Sequence, residues 1–295
     1  MRRRVSRRHF GPDGPRAAGP GRGRRPRLPG RAVVALCAGL CLPAGGAAAE
    51  RAVDLELVLA VDVSGSIDIE EARLQRQGYV QALRHPAVLD AIQHGRLGRI
   101  AVTYMEWAGA HFQRNVVGWR EISDAPSAAA FAEALERQAV TTELWTSIST
   151  AIDVAAASFE DNGFRGRRRV IDVSGDGPNN RGDFVVEARD RALAEDIVIN
   201  GLAIINGRPG RYGYPPLPDL DLYYEDCVIG GQGAFVVVAE GFGDFGRAIL
   251  RKMLLEIAGR TPPARLLRPA RERPRPPCNA GELQLRNWSP DYDEY

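Results

Sequence analysis

From residue 54 to residue 258 short runs rich in Val, Ile and Leu alternate with longer amphipathic stretches. Residues 54–62, 99–107, 113–119, 169–174, 197–205 and 234–239 read as strands, by β-branched density and by the turn residues that bound them. Between them, Asp68 opens a helix as N-cap, with Glu71 three residues on. That helix runs to about Arg84, where His85-Pro86 breaks it, and a shorter helical turn follows to Ile92. Further helices are expected over 127–138, 147–159, 183–195 and 242–258. Phe131 and Leu135 lie four apart in the first of these, and Ile148, Ile152 and Ala155 share one face of the second. Strands that alternate with helices imply an α/β fold: a doubly wound, mostly parallel sheet with helices on both faces. Residues 99–107 and 113–119 form its one antiparallel edge hairpin.

The two ends of the chain read differently. Residues 1–31 hold eleven arginines and one acid; an apolar segment, Ala32 to Leu42, and a small-residue stretch ending in Ala47-Ala48-Ala49 follow. A basic start, a short apolar centre and a small-residue site describe a secretory leader over residues 1–49. Ser6-Arg7-Arg8-His9-Phe10 resembles a twin-arginine signal. The apolar segment falls short of the roughly 20 residues a spanning helix needs, so no membrane span is expected after cleavage. Export to the periplasm or beyond the cell follows. The leader carries 11 of the 39 basic residues and one of the 37 acidic ones, leaving 28 against 36, or −8. An acidic remainder argues against nucleic acid as a partner. Beyond the leader the only cysteines are Cys227 and Cys278, which either pair or stay free. A single large domain is expected over 50–259, followed by a Pro/Arg-rich disordered tail over 260–295.

The chemistry concentrates at the ends of the expected strands. Asp62-Val63-Ser64-Gly65-Ser66 follows the first run directly, placing a carboxylate and two hydroxyls two apart in a tight loop that Gly65 is expected to help turn. Thr141-Thr142-Glu143-Leu144-Trp145-Thr146 precedes the helix near Ser147, and Ser174-Gly175-Asp176-Gly177 follows the run ending at Val173. In open α/β sheets ligands bind outside the carboxyl ends of the strands. Hard oxygens gathered there suit Mg2+ or Mn2+, and suit the larger Ca2+ less.

This pattern resembles the von Willebrand factor type A domain and its metal-ion-dependent adhesion site. The resemblance covers roughly residues 53–258 and rests on Asp62-x-Ser64-x-Ser66, Thr146 before a helix carrying Ala151-Ile152, and Asp176-Gly177. Val170 to Asn180 and Tyr223 to Gly231 further resemble a bacterial branch of exported proteins, the DUF1194 family. The resemblance implies that Ser64, Ser66 and Thr146 ligate the cation directly, with Thr141 and Thr142 as alternatives to Thr146. It implies that Asp62 and Asp176 act mainly through water or hydrogen bonds. A protein partner's Asp or Glu would complete the octahedron, making the domain a binding module and not an enzyme.

The competing reading is a metal-assisted hydrolase or phosphatase at the same site. It asks for a general base. The expected domain offers only His85, His94 and His111, none expected at the carboxyl edge of the sheet, and Lys252 is the chain's single lysine. Residues 206–233 form a connection long enough to be functional or mobile. Its tyrosines 212, 214, 223 and 224 are either a recognition surface or a patch that pins the loop. Asp172, inside an expected buried strand, has no assigned role. The basic run Arg165 to Arg169 reads as a solvated edge or a salt-bridged interface. Glu106 and Trp107 either border the site or pack in the core.

Overall fold

The computed structural model describes residues 49–210, 213–259 and 274–288. The leader therefore lies outside the described residues except for Ala49, as does Tyr212. A six-stranded sheet forms the centre. Its strands in chain order are β2 (Glu56–Asp62), β3 (Ile100–Trp107), β4 (Gln113–Ile122), β6 (Arg169–Gly175), β7 (Ile197–Ile204) and β8 (Val236–Ala239). They lie in the order β4-β3-β2-β6-β7-β8, with β4 antiparallel to β3 and every other pairing parallel. This is the expected α/β architecture with its edge hairpin. Two short strands, β1 (Arg51–Val53) and β5 (Phe164–Gly166), pair in parallel beside it and were not evident in the sequence.

The sheet is covered on both faces. On one lie α1 (Ile69–Arg84), α2 (Pro86–Gln93), α3 (Ala125–Glu136) and α7 (Phe245–Ala258). On the other lie α4 (Ile148–Ala157), α5 (Val185–Ala194), α6 (Leu220–Tyr223) and a π-helical turn, Tyr224–Val228. Strand periodicity sorts the side chains: Leu57, Leu59 and Val61 enter the first core, Val58 and Ala60 the second. Asp68 caps α1 in a full capping box with Glu71, as read from the sequence. Pro86 opens α2, and the His85 side chain accepts from the Ala87 N–H.

The 206–233 connection carries α6 and the π-helical turn, and Tyr223 and Tyr224 are fully buried there. Two expectations need correction. The tail expected to be disordered contains α8 (Ala280–Trp288), whose Ala280, Gly281 and Leu285 are buried. Proline-rich composition concealed it; a disulfide between Cys227 and Cys278 ties the segment to the π-helical turn. Helix α7 starts at Phe245, three residues later than expected.

Candidate metal centre

The chain runs from β2 to β3 and β4 on one side, then crosses to β6, β7 and β8 on the other. The topological switch point is therefore the gap between β2 and β6, where open α/β sheets form their binding crevices. Register pairs Val61 with Ser174, so Asp62 ends β2 level with the turn that follows β6. Asp62 and Asp176 meet there for that reason.

Within the first loop the Ser64 N–H donates to Asp62 Oδ1 at 2.7 Å, fixing the carboxylate by a local turn. The Ser64 and Ser66 Oγ atoms lie 3.3 Å apart, and Ser66 Oγ donates to Asp176 Oδ1 at 2.5 Å. An octahedron with Mg–O bonds of about 2.0–2.1 Å has edges of about 2.9 Å, so the two hydroxyls stand near the spacing of adjacent ligands. Asp62 and Ser64 are fully buried. Ser66, Thr146 and Asp176 line one cavity of about 500 Å3, with Asn180 beside them. Four of the five sequence-designated residues thus belong to one hydrogen-bonded chain, and Thr146 shares its cavity. The fallback Thr141 has a buried hydroxyl without a hydrogen-bond partner.

Hydrogen bonds offset the burial of the two carboxyls only in part. Asp62 Oδ2 is buried without a hydrogen-bond partner, and the Tyr224 hydroxyl is in the same condition. Both approach Gly175, where an added Cβ would come within 2.7 Å of each. Only glycine leaves that floor open. Burial first, and the Asp176 charge second, raise the Asp62 carboxyl well above its usual range. Burial likewise pushes Asp176 up to about 6, against hydrogen bonds from Ser66 and Asn206. Two buried carboxylates, Asp62 raised further by Asp176 and Asp176 by Glu71, with one orphaned oxygen between them, fit a site completed by a cation. Among the described residues no group of three or more His, Cys, Asp or Glu side chains forms a metal cage. Any cation here would depend on the hydroxyls.

Several positioning residues were not identified from sequence. The Thr146 N–H donates to Asn180 Oδ1 at 2.9 Å, and the Asn180 N–H returns a bond to the Thr146 carbonyl at 2.8 Å. Asn179 Oδ1 accepts from the Ser149 N–H at 3.0 Å. The two asparagines tie the threonine loop to the Asp-Gly loop, and Pro178-Asn179-Asn180 was the available signal. Asn206, just past β7, donates to Asp176 Oδ2 at 3.2 Å. Gly65 is not at positive φ; it is narrow because the Leu144 side chain would lie 3.3 Å from a Cβ there.

Glu106 ion-pairs with Arg76 and with Arg114, the latter at 2.5 Å, and Trp107 is core. Asp172 pairs with buried Lys252. Arg168 donates to the Glu256 and Ile257 carbonyls, satisfying the end of α7, and Arg169 donates to the Glu195 carbonyl. Tyr214 lines the cavity. His111 stands in the β3–β4 turn, whose Gly109 N–H donates to Leu144 O, so one histidine does sit at the carboxyl edge, contrary to expectation. It does not line the cavity.

Residues 52–261 match the model of a family described as a protein of unknown function, DUF1194. No curated protein matches the chain. Among solved structures it is similar to proximal thread matrix protein 1 from the mussel byssus, with a zinc-occupied MIDAS motif. The TM-score is 0.53 at 14% identity, over 71% of this chain and 49% of that one. It is also similar to the pilus adhesin SpaC from Lactobacillus rhamnosus GG, with a TM-score of 0.51 at 12% identity, over 71% and 31%. A von Willebrand factor type A structure from Catenulispora acidiphila gives 0.48 at 15% identity, over 70% and 43%. The chain thus spans about half or less of each of these proteins. At such identities the likeness to the mussel protein and the pilus adhesin is one of fold, and it agrees with the observed sheet.

Proposed function

The chain belongs to the DUF1194 family, and from that premise we propose that it is an exported, metal-dependent protein-binding module. Its site would be Asp62, Ser64, Ser66, Thr146 and Asp176, holding Mg2+ or Mn2+ and engaging an Asp or Glu of a protein partner. The observation that carries this reading is the buried, unpartnered Oδ2 of Asp62, set against Asp176 at the switch point. The zinc-occupied MIDAS motif of the mussel protein supports it from outside the chain.

When bound, the cation supplies an electrophilic centre able to accept a partner's carboxylate. The chain's own residues set the terms. Ser64, Ser66 and Thr146 contribute neutral oxygens, which leave more of the positive charge for an incoming acid than carboxylate ligands would. Asp62 is oriented by the Ser64 N–H, and Asp176 by Ser66 and Asn206. Asn180 holds the Thr146 backbone in place from both sides.

Export is supported by the leader pattern and by the Cys227–Cys278 disulfide, which suits an oxidising compartment. No helix among the described residues is long and apolar enough to cross a membrane. Titration of the chain with Mn2+ by calorimetry tests the site. Asp62→Ala is expected to lower affinity by about 10- to 100-fold or more. Equal affinities in the two proteins would refute the assignment.

A further inference from the structure

Resting on that reading, we infer that the partner presents its acidic residue beside a bulky apolar side chain, which packs on an aromatic wall built by Trp145, Tyr214 and Trp288. The cavity is lined by polar Ser66, Thr146 and Asp176 and, beside the aromatic residues, by apolar Leu144, Pro216 and Leu217. At about 500 Å3 it falls in the range that holds a drug-sized ligand and far exceeds the volume of one carboxylate. An acid alone would leave the wall wet.

The wall is fastened in place. Trp288 ends α8, which lies beyond the residues 52–261 that match the family model. Cys278, two residues before α8, is bonded to Cys227 of the π-helical turn. The Tyr214 hydroxyl donates to the Gly281 carbonyl at 3.1 Å, and Asn179 Nδ2 donates to Glu282 Oε1 at 2.7 Å. A Cβ at Gly281 would overlap the Asn179 carbonyl, so the helix sits directly on the site's own loop. The Trp288 ring meets Tyr214 edge-on at 5.9 Å yet stays 43% exposed. Trp145, also in the cavity lining, holds φ at 66°, a left-handed conformation that costs a bulky residue energy. The Arg181 guanidinium stacks on its ring at 4.3 Å.

The occupant is a segment of another protein. Its acid matches the cation and its apolar side chain matches the wall, while Arg208 in the lining is already ion-paired with Glu71 at 3.3 Å. Residues 289–295 of this chain, Ser-Pro-Asp-Tyr-Asp-Glu-Tyr, carry similar chemistry and are tested as the rival occupant.

The test uses the full chain in Mg2+ and three capped tripeptides, measured by calorimetry. They carry aspartate between two phenylalanines, aspartate between two glycines, and asparagine between two phenylalanines. The phenylalanine-flanked aspartate should bind about tenfold tighter than the glycine-flanked one. Trp288→Ala should shrink that preference to about threefold or less without changing the glycine peptide's affinity, and Trp288→Phe should restore it. Loss of the phenylalanine preference in the parent protein, with aspartate still favoured over asparagine, overturns the wall and spares the metal reading. Loss of aspartate-over-asparagine discrimination with the phenylalanine preference intact does the reverse. A truncation after Trp288 that tightens binding by about tenfold assigns the cavity to the chain's own tail and overturns the partner in trans.

Discussion

Lys252 shows how much a single residue can carry in this chain. It is the only lysine, it is completely buried on α7, and its ammonium pairs with Asp172 of β6 and with Glu256 at 2.6 Å. Asn200 Nδ2 adds a bond to Glu256 Oε1 at 3.0 Å, so the cluster joins β6, β7 and α7. Removing one member of a buried charge cluster leaves the others uncompensated, at a typical cost of about 3–5 kcal/mol. Lys252→Met is expected to lose stability on that scale in urea unfolding. A loss below about 1 kcal/mol would refute a net stabilising charge cluster at these residues. Asp172 was legible as a strand residue, but its partner was not. The lysine lies eighty residues further on, and no local pattern links the two.

At the scale of elements, the boundaries that matter are those next to the site. The strand ends at Asp62 and Gly175 were readable because Val- and Leu-rich runs stop there and oxygen-rich loops begin. Helix α8 was not readable, since a short helix in a Pro/Arg-rich stretch has no strong periodicity of its own. It exists through its attachment. The Cys227–Cys278 bond closes a loop of 51 residues, a constraint worth about 4 kcal/mol of unfolded-state entropy. Cys278→Ser is therefore expected to lower the urea midpoint and to open residues 274–288 to limited proteolysis before the sheet. Unchanged protection of that segment would show that Asn179, Tyr214 and the Gly281 contact hold α8 by themselves.

For the molecule as a whole, buried acids shape how stability depends on pH. Burial first and Glu256 second push the Asp172 carboxyl up to about 7, against the opposing pull of Lys252. Its unfolded value is near 3.8, so the folded state holds its proton more tightly than the unfolded chain does. That contribution is fully present below about pH 4 and is lost as the pH rises towards 7. Asp172→Asn should flatten this part of the profile, which thermal unfolding of both proteins between pH 4 and pH 7.5 would reveal. A parallel decline in the two proteins would refute the assignment. The alternation of strands and helices, hence a mostly parallel sheet wound on both faces, and the position of Asp62, Ser64, Ser66 and Asp176 at its carboxyl edge are legible along the chain. Those features follow from local periodicity and from strand ends, which a linear reading can see. Three features come from the folded arrangement alone: Asp62 and Asp176 share the β2–β6 switch point, Asn179 and Asn180 bind the threonine loop to the Asp-Gly loop, and a C-terminal helix walls the cavity. Those depend on register between strands more than a hundred residues apart and on a disulfide, and long-range closure leaves no trace in local composition.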